Sequence, residues 1–498
     1  MNPSLRFLVV AAGAAILLTT PGCGTPRTGP LPSSQPPLPD RFPGADGSPN
    51  SRVIGWGEFF QDPVLTGLIS TALDNNQELH VLQQEVAIAR AGVGARKGAL
   101  LPFVRLGGRA GAEKVSRNTR DGAVEEGLEI REGRKFPEPL QNYGVFADFD
   151  WEIDIWRKLR NERDAAVSRY LASKEGRNFM VTHLVAEVAE SYYELLALDN
   201  QFSIFERMLE VQGRALESVH LKKASARVTE LAVRRFEAEV LKNQARLFEV
   251  RQRITETENR LNFLAGRFPQ PIERHPDGFE LGTLNQLQSG VPAELLKNRP
   301  DVRQAELELM AAGLEVKAAG ARFYPAANVS AVLGLESFTL GSPILAKENL
   351  VYGATANLLG PLINRSAIKA AFQSAHADQV AAIYRYQQKV LKAYVEVVNQ
   401  LSQINNMGQS YALKSRQVEA LSDSAALSSQ LFDSARADYT EVLLTQREAL
   451  EARIDLVEIR QSQMTALVKA YKAIGGGVTQ THRVSMPVPK TPALPATE

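Results

Sequence analysis

Cysteine is all but missing from this chain, with one residue, Cys23, among 498. No internal disulfide and no Cys-rich zinc or iron–sulfur site can be built from it. An excess of one charge sign is missing too: 57 Lys and Arg stand against 56 Asp and Glu, a formal charge of +1. Chains that bind duplexes concentrate Lys and Arg, so nucleic acid is not expected as a partner. His80, His183, His220, His275, His376 and His482 are scattered, with no HExxH or Cys/His zinc spacing, and no P-loop lysine motif follows a strand. Gly107, Gly108 and Gly111 resemble a phosphate loop only in composition, since they sit in an alternating pattern. The sequence therefore offers no catalytic residue, no metal site and no cofactor, and the protein is expected not to be an enzyme.

No apolar run is long enough to span a bilayer as a helix, which needs roughly 20 residues. The longest, Phe7 to Leu18, follows Arg6 and precedes small residues, the pattern of an export signal over residues 1–22. A lone cysteine directly after Gly22 stands where a bacterial lipoprotein signal is cut and the new N-terminus acylated, so Cys23 is the expected lipidation site. An uncleaved anchor, or an ordinary signal cut elsewhere, is the alternative, because Thr20 stands where such signals usually carry Leu. Gly24 in place of Asp matches sorting to the outer membrane.

Proline is absent from Leu140 to Phe268 and again from Leu362 to Met486, and residues 155–265 hold only two glycines, Gly176 and Gly213. Interior Pro costs a helix about 3 kcal/mol and Gly about 1, so these stretches read as long helices. Apolar residues recur at helical spacing in both, at Val181, Leu184, Val185, Val188, Tyr192 and Leu195, and at Val390, Ala393, Tyr394, Val397 and Leu401. Proline crowds the ends instead: nine of 26 lie in residues 21–49 and four in 487–498, giving a Pro-rich segment over 23–50 and a disordered tail over 478–498.

Four runs alternate with period two. The clearest is 143–153, where Tyr143, Val145, Ala147, Phe149, Trp151 and Ile153 oppose Gly144, Phe146, Asp148, Asp150 and Glu152. Weaker ones lie at 103–112, 327–336 and 351–360. About ten residues is the length of a tilted strand crossing an outer membrane, with Asp148 and Asp150 expected to face a watery lumen. The halves also repeat: GARKGALLPFVRLGG (94–108) matches AAGARFYPAANVSAV (318–332), and further on Val188 falls on Val397 and Arg227 on Arg436. Four strands cannot close a membrane barrel, so several copies must share one, whether two, three or more. A helix of roughly 65 residues ending near Ala226 would span about 100 Å. Its return partner, 228–265, is too short, and a helix over about 78–100 stacked on its end would fill the mismatch. The second half reads as a less regular version, with 300–322 beside two longer passes around Ala435.

WGEFFQDPVLTGLISTALDNNQEL (56–79), WEIDIWRKLR (151–160), VPAELLKNRPDVRQAELEL (291–309), ARFYP (321–325) and AYKAIGGG (470–477) closely resemble the outer-membrane factor family of TolC-like efflux channels, in the lipoprotein branch typified by OprM and NodT. The resemblance implies a mainly α fold with a small β part. A homotrimer would share one 12-stranded outer-membrane β-barrel, a long periplasmic α-helical barrel and an equatorial mixed α/β region. Each chain would hold two tandem repeats, over 51–268 and 291–477, joined by a linker over 269–290. The partners implied are a periplasmic adaptor (membrane fusion) protein, an inner-membrane efflux pump of RND type, and outer-membrane lipid. Efflux would be passive, with a gate at the periplasmic tip formed by turns near 222–231 and 433–444. Ala226, Arg227, Ala435 and Arg436 become the candidates for adaptor contact, and Asp438, Thr440, Glu441 and Leu444 for the gate. The family often has Gly at each turn and a Leu and an Asp where this chain has Thr440 and Leu444; Asp438 or Glu441 could replace that acidic ring or simply be solvated carboxylates. A lipid-anchored periplasmic helical scaffold is one competing reading, but it leaves four membrane-length strands without use; an adaptor is another, but it would carry barrel-sandwich strands flanking one hairpin rather than two copies of a strand pair.

Overall fold

The structure is a computed structural model. It describes residues 55–274, 298–339, 346–363, 365–434 and 436–476, with a few positions between 26 and 42. Chain order is α1 (Trp56–Phe59), α2 (Pro63–Asn75), α3 (Gln77–Gly98), β1 (Phe103–Glu113), α4 (Arg120–Gly127), β2 (Glu129–Arg131), β3 (Arg134–Lys135), β4 (Leu140–Ile153), α5 (Lys158–Ala224) and α6 (Glu230–Leu264). After the undescribed stretch come α7 (Pro300–Ala321), β5 (Ala326–Ser337), β6 (Leu350–Leu359), α8 (Ser366–Asp433) and α9 (Tyr439–Ala473). The proline-free stretches are thus two helical hairpins, and all four alternating runs are strands. The second half is more regular than its sequence suggests. α5 and α8 have 67 and 68 residues, α6 and α9 have 35 each, and α3 and α7 have 22 each.

The chain forms two compact units, one built around residues 87–172 and 306–385 and the other around 35–86, 173–305 and 386–498. The first holds a four-stranded antiparallel sheet of order β1-β4-β5-β6. Pro102 and Pro325 each immediately precede a strand, β1 and β5, where the missing N–H and restricted φ end the helical path. Residues 114–139, between β1 and β4, are more ordered than their mixed charge suggests. They carry α4, whose N-cap Thr119 accepts from Gly122 N, and the β2–β3 hairpin. Neither element has enough residues to show a period in the sequence.

In the second unit the core gathers α2, α5 and α6. Leu65, Ile69, Ala72, Ala189, Tyr192 and Leu195 are fully buried. Asp62 caps α2 by accepting from Val64 N and Leu65 N, and its other oxygen accepts from the Tyr192 hydroxyl at 2.7 Å. Burial of the phenol, with that carboxylate beside it, drives the Tyr192 pKa far up and keeps it neutral.

The length mismatch is resolved by two end-to-end joints. α6 stops at Leu264, whose carbonyl accepts from Asn76 Nδ2 at 3.0 Å, while Asn76 Oδ1 accepts from Leu79 N of α3 at 3.1 Å. One buried amide therefore closes the end of one helix and opens the next, meeting backbone groups that helix termini leave unpaired. Gly266 turns the chain away with φ +65°, where a Cβ would collide with the Asn75 carbonyl. The second half uses other chemistry at the same place. α9 ends at Ala473, 209 residues after Leu264 (473 less 264), and the Ala473 carbonyl accepts from Arg299 Nη1 at 2.9 Å just before α7. Arg299 also donates to both oxygens of Asp301 at 3.0 Å and to Glu396 at 2.8 Å. Burial opposes its charge, but the two carboxylates more than offset that and raise its pKa.

A third group of titrating side chains lies nearby. Lys472 Nζ stands 2.9 Å from His183 Nδ1. Burial and then the Lys472 charge push the His183 pKa down, against Glu187 and Glu78; burial pushes Lys472 down and Glu190 up.

Two predictions follow from these contacts. Arg299→Ala leaves the buried Asp301 carboxylate without its guanidinium and should cost about 3–5 kcal/mol, against about 1–2 kcal/mol for Asn76→Ala; denaturant titration of the detergent-solubilised protein reads the order. For His183, the folded state resists a proton that the unfolded chain accepts below about pH 6.5. The stability this group contributes is present above that value and is lost as pH falls through the lower folded value. His183→Gln should therefore shrink the drop in thermal midpoint between about pH 7.5 and about pH 5.5.

Candidate functional site

Strand pairing carries the alternation of each strand across the whole sheet. Val104 lies opposite Phe149 and Phe149 opposite Ala331, which faces Ala354; Leu106, Ala147, Leu333 and Tyr352 form the next row. Directly paired residues share a face, so these rows make one continuous apolar surface. Leu106 and Tyr352 are 83% and 78% exposed in the single chain. The other face carries the sheet's charged side chains. Arg105 lies opposite Asp148 and bonds Asp150 Oδ2 at 2.5 Å, and Ser330 Oγ bonds Asp150 Oδ1 at 3.0 Å. Phe103, Phe146, Val332 and Val351 share that face, and Phe146 lies across Gly144 and Gly334 with the Arg109 guanidinium 5.2 Å from its ring. Strands of 10 to 14 residues with these two faces fit a bilayer on one side and water on the other. Both outer strands, β1 and β6, lack a neighbour among the described residues, and in this order they run antiparallel to each other. Among the described residues no helix is long and apolar enough to cross a membrane.

At the far end of the helices the two turns lie side by side. α5 ends in a Schellman motif: Arg227 N donates to the Lys222 carbonyl and Ala226 N to the Lys223 carbonyl. Ala226 takes the left-handed conformation, φ +56°, at a cost of about 1–2 kcal/mol that Gly would avoid. At the second turn Arg436 N donates to the Leu431 carbonyl, the same bond 209 residues on (436 less 227); Ala435 lies outside the described residues. Val219, Ala232, Val233 and Phe236 of the first hairpin pack on Val442 of the second. Lys222 bridges them, donating to the Phe432 carbonyl at 3.2 Å and to Asp433 Oδ1 at 2.9 Å, with its ammonium 3.7 Å from the Phe432 ring centroid.

The structure brings most of the sequence-derived candidates to this tip. Arg227 and Arg436 are exposed in the turns. The gate candidates are less of a turn than expected, because α9 begins at Tyr439: Asp438 is its N-cap residue, and Thr440, Glu441 and Leu444 occupy its first two turns, all exposed. Thr440 Oγ1 reaches Asp438 Oδ2 at 3.4 Å. Lys222 was not singled out by the sequence, since no periodic signal marks a contact between residues 211 apart. Cys23 lies outside the described residues, as does His275.

The comparisons with known proteins agree with this geometry. The family model described as outer membrane efflux protein matches residues 68–267 and 291–476, two segments that each contain two strands of the four-stranded sheet and one helical hairpin. The pyoverdine export outer membrane protein OpmQ of Pseudomonas putida is 28% identical over 457 residues, covering 91% of this chain and 94% of its own. The probable outer membrane lipoprotein SilC of Salmonella typhimurium is 23% identical, covering 89% and 93%. In fold, the chain is similar to the open-state MtrE outer membrane channel of Neisseria gonorrhoeae, with a TM-score of 0.79 at 22% identity over 91% of this chain and 98% of that one. With a family model matched over most of its length, and a four-stranded sheet that has a continuous apolar face, the chain belongs to the outer membrane efflux protein family.

Proposed function

We propose that this protein is the outer-membrane exit duct of a tripartite efflux system, a passive channel opened from the periplasmic side by an adaptor protein and an inner-membrane pump of the RND type. The observation that carries the reading is the sheet with one continuous apolar face and two free edges. Unpaired strand edges cannot stay in hydrocarbon, because each unmet N–H or C=O there costs several kcal/mol. β6 of one copy is antiparallel to β1 of the next, so copies can close a ring with every pair antiparallel. Three copies give the twelve-stranded barrel that the family resemblance implies. Acylated Cys23 would hold the N-terminal segment at the membrane.

The long hairpins then form the periplasmic tunnel, with the two turns at its tip. In this reading Ala226, Arg227, Ala435 and Arg436 meet the adaptor, while Asp438, Thr440, Glu441 and Leu444 line the gate. Drugs, metal ions or other solutes would leave through the open tunnel. The relatives' names refer to cargoes as different as pyoverdine and toluene, which supports placing selectivity in the pump rather than the duct.

The direct test is the mass of the detergent-extracted protein from an outer-membrane fraction, by light scattering corrected for detergent. Three chains are expected; a monomer that needs no detergent would overturn the shared barrel. At the tip, Lys222→Met should remove about 1 kcal/mol of the bond between the hairpins and raise the open population about five-fold. Increased vancomycin entry with retained efflux is the expected readout. Arg227→Glu or Arg436→Glu should lower drug resistance or raise vancomycin sensitivity, and wild-type values of both in the two variants would count against the assigned roles.

A further inference from the structure

The charged face of the sheet carries five glycines, Gly107, Gly111, Gly144, Gly334 and Gly353. Glycine inside a strand weakens it and often marks a place where another group approaches the backbone closely. None of the five has the left-handed φ that would call for glycine on conformational grounds. Two of them answer for space instead. Gly144 and Gly334 are the one buried residue in β4 and in β5, and the Phe146 ring lies over both. A Cβ at Gly144 would fall 2.8 Å from Phe146 Cε2 and closer still to Cζ; one at Gly334 would fall 2.5 Å from Cδ1 and 2.7 Å from the Val145 carbonyl oxygen.

Side chains in a strand ordinarily stand out from the sheet, and Phe146 does not. It lies directly opposite Gly107 on β1 and Gly334 on β5, and its ring leans toward β5 and back over Gly144. The space above Gly107 is left open, with nothing within 4 Å of a Cβ built there. Arg109, opposite Gly144, holds its guanidinium 5.2 Å from the ring centroid, within cation–π range. Two absent side chains and one cation thus keep a bulky aromatic down against the wall.

We propose that Gly144 and Gly334 are positioning residues for the size limit of the duct: they form a recess that holds the Phe146 ring against the wall, so that each copy's phenyl leaves the bore clear for bulky solutes. The inference rests on the proposed barrel with its charged face turned to the duct. An aromatic lying over glycine also shields the sheet's own backbone. That role alone would leave the bore unchanged when the ring is displaced.

Thr355 supplies a reporter position. The helix junctions lie at one end of the sheet, with Phe103 opposite Asp150 and Ala326 opposite Leu359. Thr355 is exposed on the charged face opposite Ser330, itself opposite Asp150, four residues from Phe146 toward those junctions and so about 13 Å further along the strand. A reagent entering from the loop end must pass the Phe146 level to reach it.

The test uses the full-length protein in detergent, carrying Thr355→Cys, and maleimide-linked polyethylene glycols of graded length. The unsubstituted protein, with Cys23 its one cysteine, gives the background, and oligomer mass is measured on every sample. Adding Gly144→Ala should slow labelling by the largest polymer otherwise admitted about three-fold or more, and adding Phe146→Ala to that pair should restore the rate. Gly107→Ala, on the other side of the ring, should leave the rate unchanged. Phe146→Ala without Gly144→Ala should also leave it unchanged, because a ring lying in its recess takes nothing from the bore. Faster labelling with Phe146→Ala alone overturns the recess even if the Gly144→Ala protein fails to assemble. Unchanged labelling of an intact Gly144→Ala oligomer, or a slowing that Phe146→Ala does not relieve, overturns it too. In those events a labelled, detergent-dependent oligomer leaves the channel reading standing. If no polymer reaches the Thr355→Cys thiol in the oligomer, the charged face lines no open duct and both readings fall.

Discussion

Helices of 67 and 68 residues need partners of their own length, and no single return helix supplies one. The architecture depends on solving that problem at two joints, where the last carbonyl of one helix meets a side chain at the start of another. A helix end inside a packed structure carries backbone groups that must be met. At Asn76 and Arg299 the same atoms that meet them also fix which helix comes next.

The sheet shows the opposite economy. Its inner strands β4 and β5 are paired on both sides, but among the described residues β1 and β6 each keep one edge without a neighbour. Polar side chains on one face and apolar ones on the other suit water on one side and lipid on the other, and the open edges suit the proposed ring of copies. In the proposed assembly the chain divides its requirements: helices are settled mostly within the chain, and the barrel between chains.

Much of this was readable because periodic features leave periodic traces. Missing proline marked the two hairpins, and alternation from Tyr143 to Ile153 marked β4 to within three residues. The stacking of a short helix on the return helix followed from length alone. The joints themselves were not readable, since Asn76 meets Leu264 across 188 residues and Arg299 meets Ala473 across 174. No local pattern encodes such a bond. Lys222 stayed hidden for the same reason, and α4 with the β2–β3 hairpin was too short to carry a period. The family resemblance supplied what periodicity could not, the place of this chain in an efflux system.

The two joints have drifted into different chemistry while keeping one geometry. Asn76 works as a neutral amide, whereas Arg299 needs Asp301 and Glu396 around it. If the halves arose by duplication, they are no longer interchangeable parts. An ancestor with two identical halves could have lost either joint's chemistry and borrowed the other's; in this chain moving Arg299 into the first half would also require an acid in the first turn of the helix that follows and another on the neighbouring long helix. The divergence works as a ratchet that keeps each half committed to its own position in the tandem.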